Sequence, residues 1–262
     1  RHYRRQRQMC IRDRFQIEPN YQQNYGKNYY QNLFEEYGFK LLFKQFTFLK
    51  KTRTPLSERL AEKAARAMKD PNYNFRTLEK NNMDKYVNDF TKIYNDAWSN
   101  MPGVAKLKLS QAKLLFKQIK PILDEKILWF AYHKDDPVGF FISIPEMNQI
   151  FKHVNGKLDL IGKIKTFYHL KIKKSCKKMV GLVFGIVPDH QGKGVDGALI
   201  MASRETIQEK LQYTDLELNW IPDFNKAMIR VAEQVQVKLG KIHHTYRYNF
   251  DRKIPVERIT SK

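Results

Sequence analysis

Apolar and polar positions along the chain alternate between two periods. Met83, Tyr86, Val87, Phe90, Ile93, Tyr94, Ala97 and Trp98 recur every three or four residues, which predicts a helix over residues 83–98 with one apolar stripe. Leu41, Phe43, Phe46 and Phe48 recur roughly every second residue, which predicts a strand over 39–49. A short helix over 29–37 precedes it, with Tyr30, Leu33, Phe34 and Tyr37 on one face and Gly38 as its stop. Thr54 and Pro55 read as the cap and first position of another helix whose inner side is Leu60, Ala64 and Met68. A strand is expected from Phe75, and a helix capped by Ser110 runs to about Ile119. Strands at 127–132 and 138–144 flank the turn Asp135-Asp136-Pro137. A strand over 179–187, a glycine turn and a helix follow. Then come a strand at 216–221, a helix at 225–239 and a last strand at 241–250.

Residues 146–176 break this rhythm. Leu158, Ile161, Ile164, Phe167, Tyr168 and Ile172 are spaced as in a helix and stand among many lysines. The segment reads as an amphipathic insertion. Its apolar face either packs on the sheet, covers an acceptor pocket, or touches a membrane surface through 158–174.

Hydrophobic residues make up 42% of the 262, enough for a real core, so global disorder is excluded. The apolar runs are too short to span a bilayer. Cys10 and Cys176 form no disulfide framework, and with no apolar leader in view a cytoplasmic setting is expected. The net charge of +21 points to anionic partners. Lysines supply most of it and are scattered, so nucleic acid is not expected as a partner. Met9 to Arg14 reads like the translated end of a transposase adapter from a sequencing library; the alternative is a basic arm. Residues 1–14 hold six arginines and one aspartate, so setting them aside lowers the charge by five, to +16. They are expected to contribute nothing to the fold.

The chemistry concentrates at residues 185–199. An apolar strand ends in Pro188-Asp189-His190, then Gln191-Gly192-Lys193-Gly194, then a helix that begins Val195-Asp196-Gly197-Ala198. Glycines let successive N–H groups converge on one centre, and a helix N-terminus adds free donors and partial positive charge. Lys193 adds a full charge. A pyrophosphate fits such a turn.

These residues resemble the acetyl-CoA signature of the GNAT acetyltransferase family: Gln or Arg, two residues, Gly, one residue, then Gly or Ala. Gln191 and Gly194 match. Asp196 departs from the third position, with Gly197 beside it. The resemblance covers roughly residues 75–250. It implies an α/β (α+β) GNAT fold: a mixed central sheet with helices on both faces. It also implies acetyl-CoA or another acyl-CoA as co-substrate, bound by Ile186, Val187, Gln191, Gly192, Lys193, Gly194, Val195, Gly197, Ala198 and Asn225. In that family the central strand and the next one splay apart around the pantetheine arm, so a backbone N–H of Ile186 or Val187 would polarise the thioester. Glu217 is then the candidate base. The family's usual tyrosine is replaced by Ala232, which leaves Tyr246 or Tyr248 as candidate acid.

Adjacent His243 and His244 point to opposite sides of a strand, so no metal site is expected. The implied organisation is residues 1–14 set apart, 15–55 as an extension or as the remnant of a second, upstream GNAT-like unit, 56–252 as the acyltransferase domain and 253–262 as a tail. The implied function is N-acyl transfer from an acyl-CoA to a small-molecule or peptide amine. The alternatives are a tRNA-dependent aminoacyl transferase of the peptidoglycan-bridge type and a non-catalytic acyl-CoA-binding module.

Overall fold

The computed structural model describes residues 6–23, 25–98, 101 and 104–260. The chain divides into two compact units. One is residues 51–216; the other joins the chain before Lys51 to residues 217–262.

The first of these is built on four antiparallel strands: β3 (Tyr73–Thr77), β4 (Leu128–His133), β5 (Asp136–Pro145) and β6 (Lys178–Ile186). β4 and β5 meet in a two-residue turn at Lys134 and Asp135, both with positive φ. Helices cover both faces. On β5, Phe140 packs against Phe90 of α3 (Met83–Trp98), whereas the neighbouring Gly139 lies against Leu199 of α7 (Val195–Lys210). Successive residues of a strand point to opposite faces, so α3 and α7 lie on opposite sides. Phe90 also meets Phe116 of α4 (Leu109–Ile119), edge to face. Burying each such ring contributes about 2 kcal/mol by area alone.

α2 (Glu58–Lys69) packs on α7. It begins later than its pattern suggests: Ser57, not Thr54, is the cap, and its Oγ accepts from Leu60 N. Ala67 rather than Met68 completes the buried side, and Met68 is exposed. α4 likewise starts after Lys108, where the Gln111 side chain accepts the Lys108 N–H, so Ser110 is not the cap.

The insertion after β5 forms α5 (Asn148–Phe151), α6 (Leu160–Phe167) and a π-helical turn, Tyr168–Ile172. Its apolar face does not pack on the sheet. Leu158, Leu160, Ile161, Ile164, Phe167, Tyr168 and Ile172 are all exposed.

The second unit holds β1 (Gln6–Arg12), α1 (Tyr30–Tyr37), β2 (Lys40–Lys51) as far as Lys50, β7 (Asp215–Pro222) from Glu217 onward, α8 (Lys226–Gln234) and β8 (Lys238–Asn249). Its strand order is β1-β8-β2-β7. β2 is therefore built between β7 and β8, and residues 15–50 share a unit with the C-terminal chain instead of standing apart. α1 buries little; Phe34 packs on Phe39 while Tyr30, Leu33 and Tyr37 stay exposed. α8 ends five residues before its expected limit, where Gln236 takes a positive φ.

Residues 1–14 were expected to take no part in the fold, and over 6–12 the structure differs. β1 pairs with β8 from Gln6↔Asn249 to Arg12↔His243. Ile11 then completes a small core with Phe39 and Tyr246. Any segment that can place an apolar residue on the inner side of an open strand edge gains both ladder hydrogen bonds and burial. Removing residues 1–12 is expected to lower Tm by several degrees in a thermal melt; an unchanged Tm would show that β1 adds no stability.

A row of buried polar side chains runs along β8. Lys241 Nζ donates to Glu217 Oε1 at 2.6 Å, and His243 Nε2 lies 3.1 Å from Thr47 Oγ1. Burial, reinforced by Lys241 and Arg12, pushes the His243 imidazole down from 6.5 to about 4. The folded state therefore resists a proton that the unfolded chain accepts. Stability should fall as pH drops from about 6.5 to about 4, by on the order of 3 kcal/mol, and this contribution should level off below that. His243→Gln should flatten this part of the Tm-versus-pH curve.

Candidate functional site

The glycine turn forms as its spacing suggests, but its parts do different work. β6 ends at Ile186, and Pro188–His190 makes one 3-10 turn. Gln191 then folds back, and its Nε2 donates to Ile186 O at 2.9 Å. Its side chain straps the turn to the strand. Gly192 and Gly194 both take left-handed φ, 74° and 85°. Gly192 has open space where a Cβ would stand. Gly194 does not: a Cβ there would lie 2.4 Å from the Lys63 carbonyl oxygen of α2. A Cβ on Gly197 would meet Leu60 and Ala64 at 3.1–3.3 Å.

Val195, Gly197 and Ala198 are thus buried packing positions, whereas Gln191, Gly192 and Lys193 are exposed. α7 begins at Gly194 with no side-chain cap, so its first-turn N–H groups have none of the usual Ser, Thr, Asp or Asn oxygen. An uncapped helix start, a left-handed glycine open to solvent and an exposed lysine are together the kind of arrangement that suits an anion. Asp196, in the first helical turn, is an acid set against it.

Of the two amides proposed to face a thioester, Val187 is already engaged: its N–H donates to Val138 O at 2.9 Å. Adjacent strand amides alternate in direction, so the Ile186 N–H points away from β5. A bulge between Ile142 and Ser143 of β5 shifts the register opposite Gly181 to Val183.

The loop entering the turn carries a cluster that spacing alone does not reveal. His190 Nδ1 lies 2.6 Å from Tyr73 Oη, and the His133 ring sits 4.9 Å from both rings. Burial, then His133 and Lys193, hold the His190 imidazole below its ordinary value. His190 anchors the loop to β3. The signal was present only as Tyr73↔His133 pairing across β3 and β4, which no sequence pattern announces.

The remaining candidates belong to the other unit. Glu217 is fully buried, and its Oε1 accepts from Lys241. A lone pair held by an ammonium is not free to take a substrate's proton. Tyr246 is buried and its hydroxyl donates to Glu35 Oε1 at 2.6 Å. Burial and that carboxylate raise it well above the ordinary tyrosine value, which opposes use as an acid. Tyr248 packs among Tyr37, Phe39 and Phe250. Asn225 caps α8, its Oδ1 accepting from Met228 N, and Ala232 is buried. Among the described residues no cluster of three or more His, Cys, Asp or Glu could hold a metal, and no helix is long and apolar enough to cross a membrane.

This arrangement can be set beside known proteins. No family model matches the chain. Over 98% of its length it superposes on a GCN5-related N-acetyltransferase from Sphaerobacter thermophilus, with TM-score 0.57 and 10% identity, covering 62% of that chain. It also superposes on a tandem GNAT protein from the clavulanic acid biosynthesis pathway, with TM-score 0.53, 8% identity and 93% and 64% coverage of the two chains. The chain has the mixed α/β GNAT fold. In sequence it is similar to the bacterial ceramide synthase of Caulobacter vibrioides (strain NA1000 / CB15N), 29% identical over 175 residues, 66% of this chain. It spans 44% of the length of that relative.

Gly194→Val is expected to unfold or loosen the α2–α7 contact, since it adds both a clash and left-handed strain. Circular dichroism should show Tm lowered by several degrees; an unchanged Tm would mean α2 yields freely.

Proposed function

We propose that the chain transfers an acyl group from an acyl-CoA thioester to the amine of a long-chain, amphipathic acceptor. The observation that carries this reading is the uncapped start of α7 behind the open, left-handed Gly192 and the exposed Lys193. The GNAT fold supports it. So does the similarity to a protein named ceramide synthase, because a ceramide is an N-acylated long-chain amino alcohol.

In this reading the CoA pyrophosphate sits on the Gly192–Lys193 backbone and the first amides of α7, with Lys193 as counter-charge. Gln191 holds the turn in shape through Ile186 O. The Ile186 N–H, which points away from β5, donates to the thioester carbonyl oxygen as negative charge develops there. The neutral amine attacks the carbonyl carbon, and the C–N bond forms. The C–S bond breaks, and the thiolate leaves to be protonated. The ammonium proton passes to solvent water, since the Glu217 and Tyr246 oxygens are already engaged.

Gly192 gives the cleaner test of phosphate binding, because it has space where Gly194 has none. Asn and Asp both tolerate left-handed backbone and differ in charge. Acetyl-CoA affinity by calorimetry should weaken about tenfold more in Gly192→Asp than in Gly192→Asn, equivalent to about 1.4 kcal/mol. Equal affinities in the two variants and the parent would sink the cradle. Release of free CoA should be faster with a long-chain amino alcohol than with a short polyamine. CoA binding without acylation of any amine would favour a non-catalytic module.

A further inference from the structure

We infer that α6 and the π-helical turn after it form a docking face for anionic lipid. The inference extends the acceptor class proposed above to the place where such an acceptor is met, but its observations are independent of the acyl-CoA site. Leu160, Ile161 and Phe167 are 75%, 64% and 60% exposed, and Ile164, Tyr168 and Ile172 lie exposed with them. On a helical wheel Leu160, Ile164 and Phe167 form one stripe with Ile161 and Tyr168 beside it. Lys163 and Lys165 border that stripe on its two sides. The opposite side carries the buried Gly162 and, in the next turn, the buried Leu170. The apolar face therefore points outward because the other face is committed.

That commitment is firm. A Cβ on Gly162 would stand 2.0 Å from the Lys157 carbonyl oxygen, so the helix lies directly on the preceding loop. The Asp159 side chain caps α6 through Gly162 N at 2.8 Å. The His153 and His169 rings stack at 4.0 Å and 4°, and His169 Nδ1 lies 3.0 Å from Ser175 Oγ. The base closes where Glu146 N donates to Lys178 O and Cys176 Sγ to Glu146 O. An apolar face held outward this way is a built surface.

Charge selects the occupant. Residues 152–177 contain eight lysines and a single acid, Asp159, whose carboxylate is used as the helix cap. All eight lysines are exposed. A narrow apolar stripe rimmed by lysines matches the boundary between acyl chains and anionic headgroups, with the adjacent Phe167 and Tyr168 at that depth. The eight residues of α6 and five of the turn are too few to cross a bilayer, so the helix lies in its plane.

The test is co-sedimentation of the chain with phosphatidylcholine vesicles, with and without phosphatidylglycerol. The bound fraction should rise at least about fivefold with the anionic lipid and fall in high salt. Ile164→Glu with Phe167→Glu should abolish binding, and Lys163→Glu with Lys165→Glu should weaken it; Tm and acetyl-CoA affinity should be unchanged in both. Equal binding by parent and face variants would overturn the inference, as would no binding to anionic vesicles. Concentration-dependent self-association abolished by the same face variants, without vesicle binding, would assign the face to a second copy instead. Loss of vesicle binding with intact acetyl-CoA binding defeats only the docking face. The converse result defeats only the acyl-CoA reading.

Discussion

The contact between α2 and the first turn of α7 is the constraint on which the shape of the larger unit's glycine turn rests. The Lys63 carbonyl comes so near Gly194 that no Cβ fits, and Leu60 and Ala64 crowd Gly197 less severely. This close approach fixes where α7 starts. A glycine start has no side chain to cap the helix, so the free amides follow from packing as much as from any demand of a ligand. Gln191, tied to Ile186 O, then sets the span between strand end and helix start. Within this turn, packing demands Gly194 and crowds Gly197, but leaves open space at Gly192.

Strongly periodic elements were legible in the sequence. The stripe from Met83 to Trp98 gave its helix without error, and the turn from Gln191 to Gly194 lay where its glycines placed it. Caps were less legible, because Thr54, Ser57, Lys108 and Ser110 all stand near helix starts and only the path of the incoming chain chooses among them. Burial of polar residues was the least legible. Glu217 was read as a candidate base, but Leu216, Glu217 and Leu218 are all buried and Lys241, distant in sequence, engages the Glu217 carboxylate. Residues 6–12 were misjudged because edge pairing asks little of a sequence beyond one inward apolar residue, here Ile11.

The buried row Lys241, His243 and Thr245 gives β8 a strict register. A buried ion pair contributes little net stability over an apolar pair, yet removing one partner is costly. Slipping β8 by one residue would turn Lys241 away from Glu217 and His243 away from Thr47, breaking both contacts. The polar row thus discriminates against wrong pairings among β2, β7 and β8, whose apolar residues alone would tolerate several alignments.

That strand order bears on how the chain matures. Residues 51–216 are continuous and can close as soon as they leave the ribosome, whereas β2 belongs between β7 and β8, which are made after nearly all of that unit. During synthesis β2 waits with both edges bare and with Leu41, Leu42, Phe43, Phe46 and Phe48 unsheltered. The interval lasts while about 170 residues are translated, on the order of ten seconds or more at typical elongation rates. Interleaved lysines at positions 40, 44, 50 and 51 keep the waiting strand charged, a gatekeeping role with no counterpart in the finished sheet.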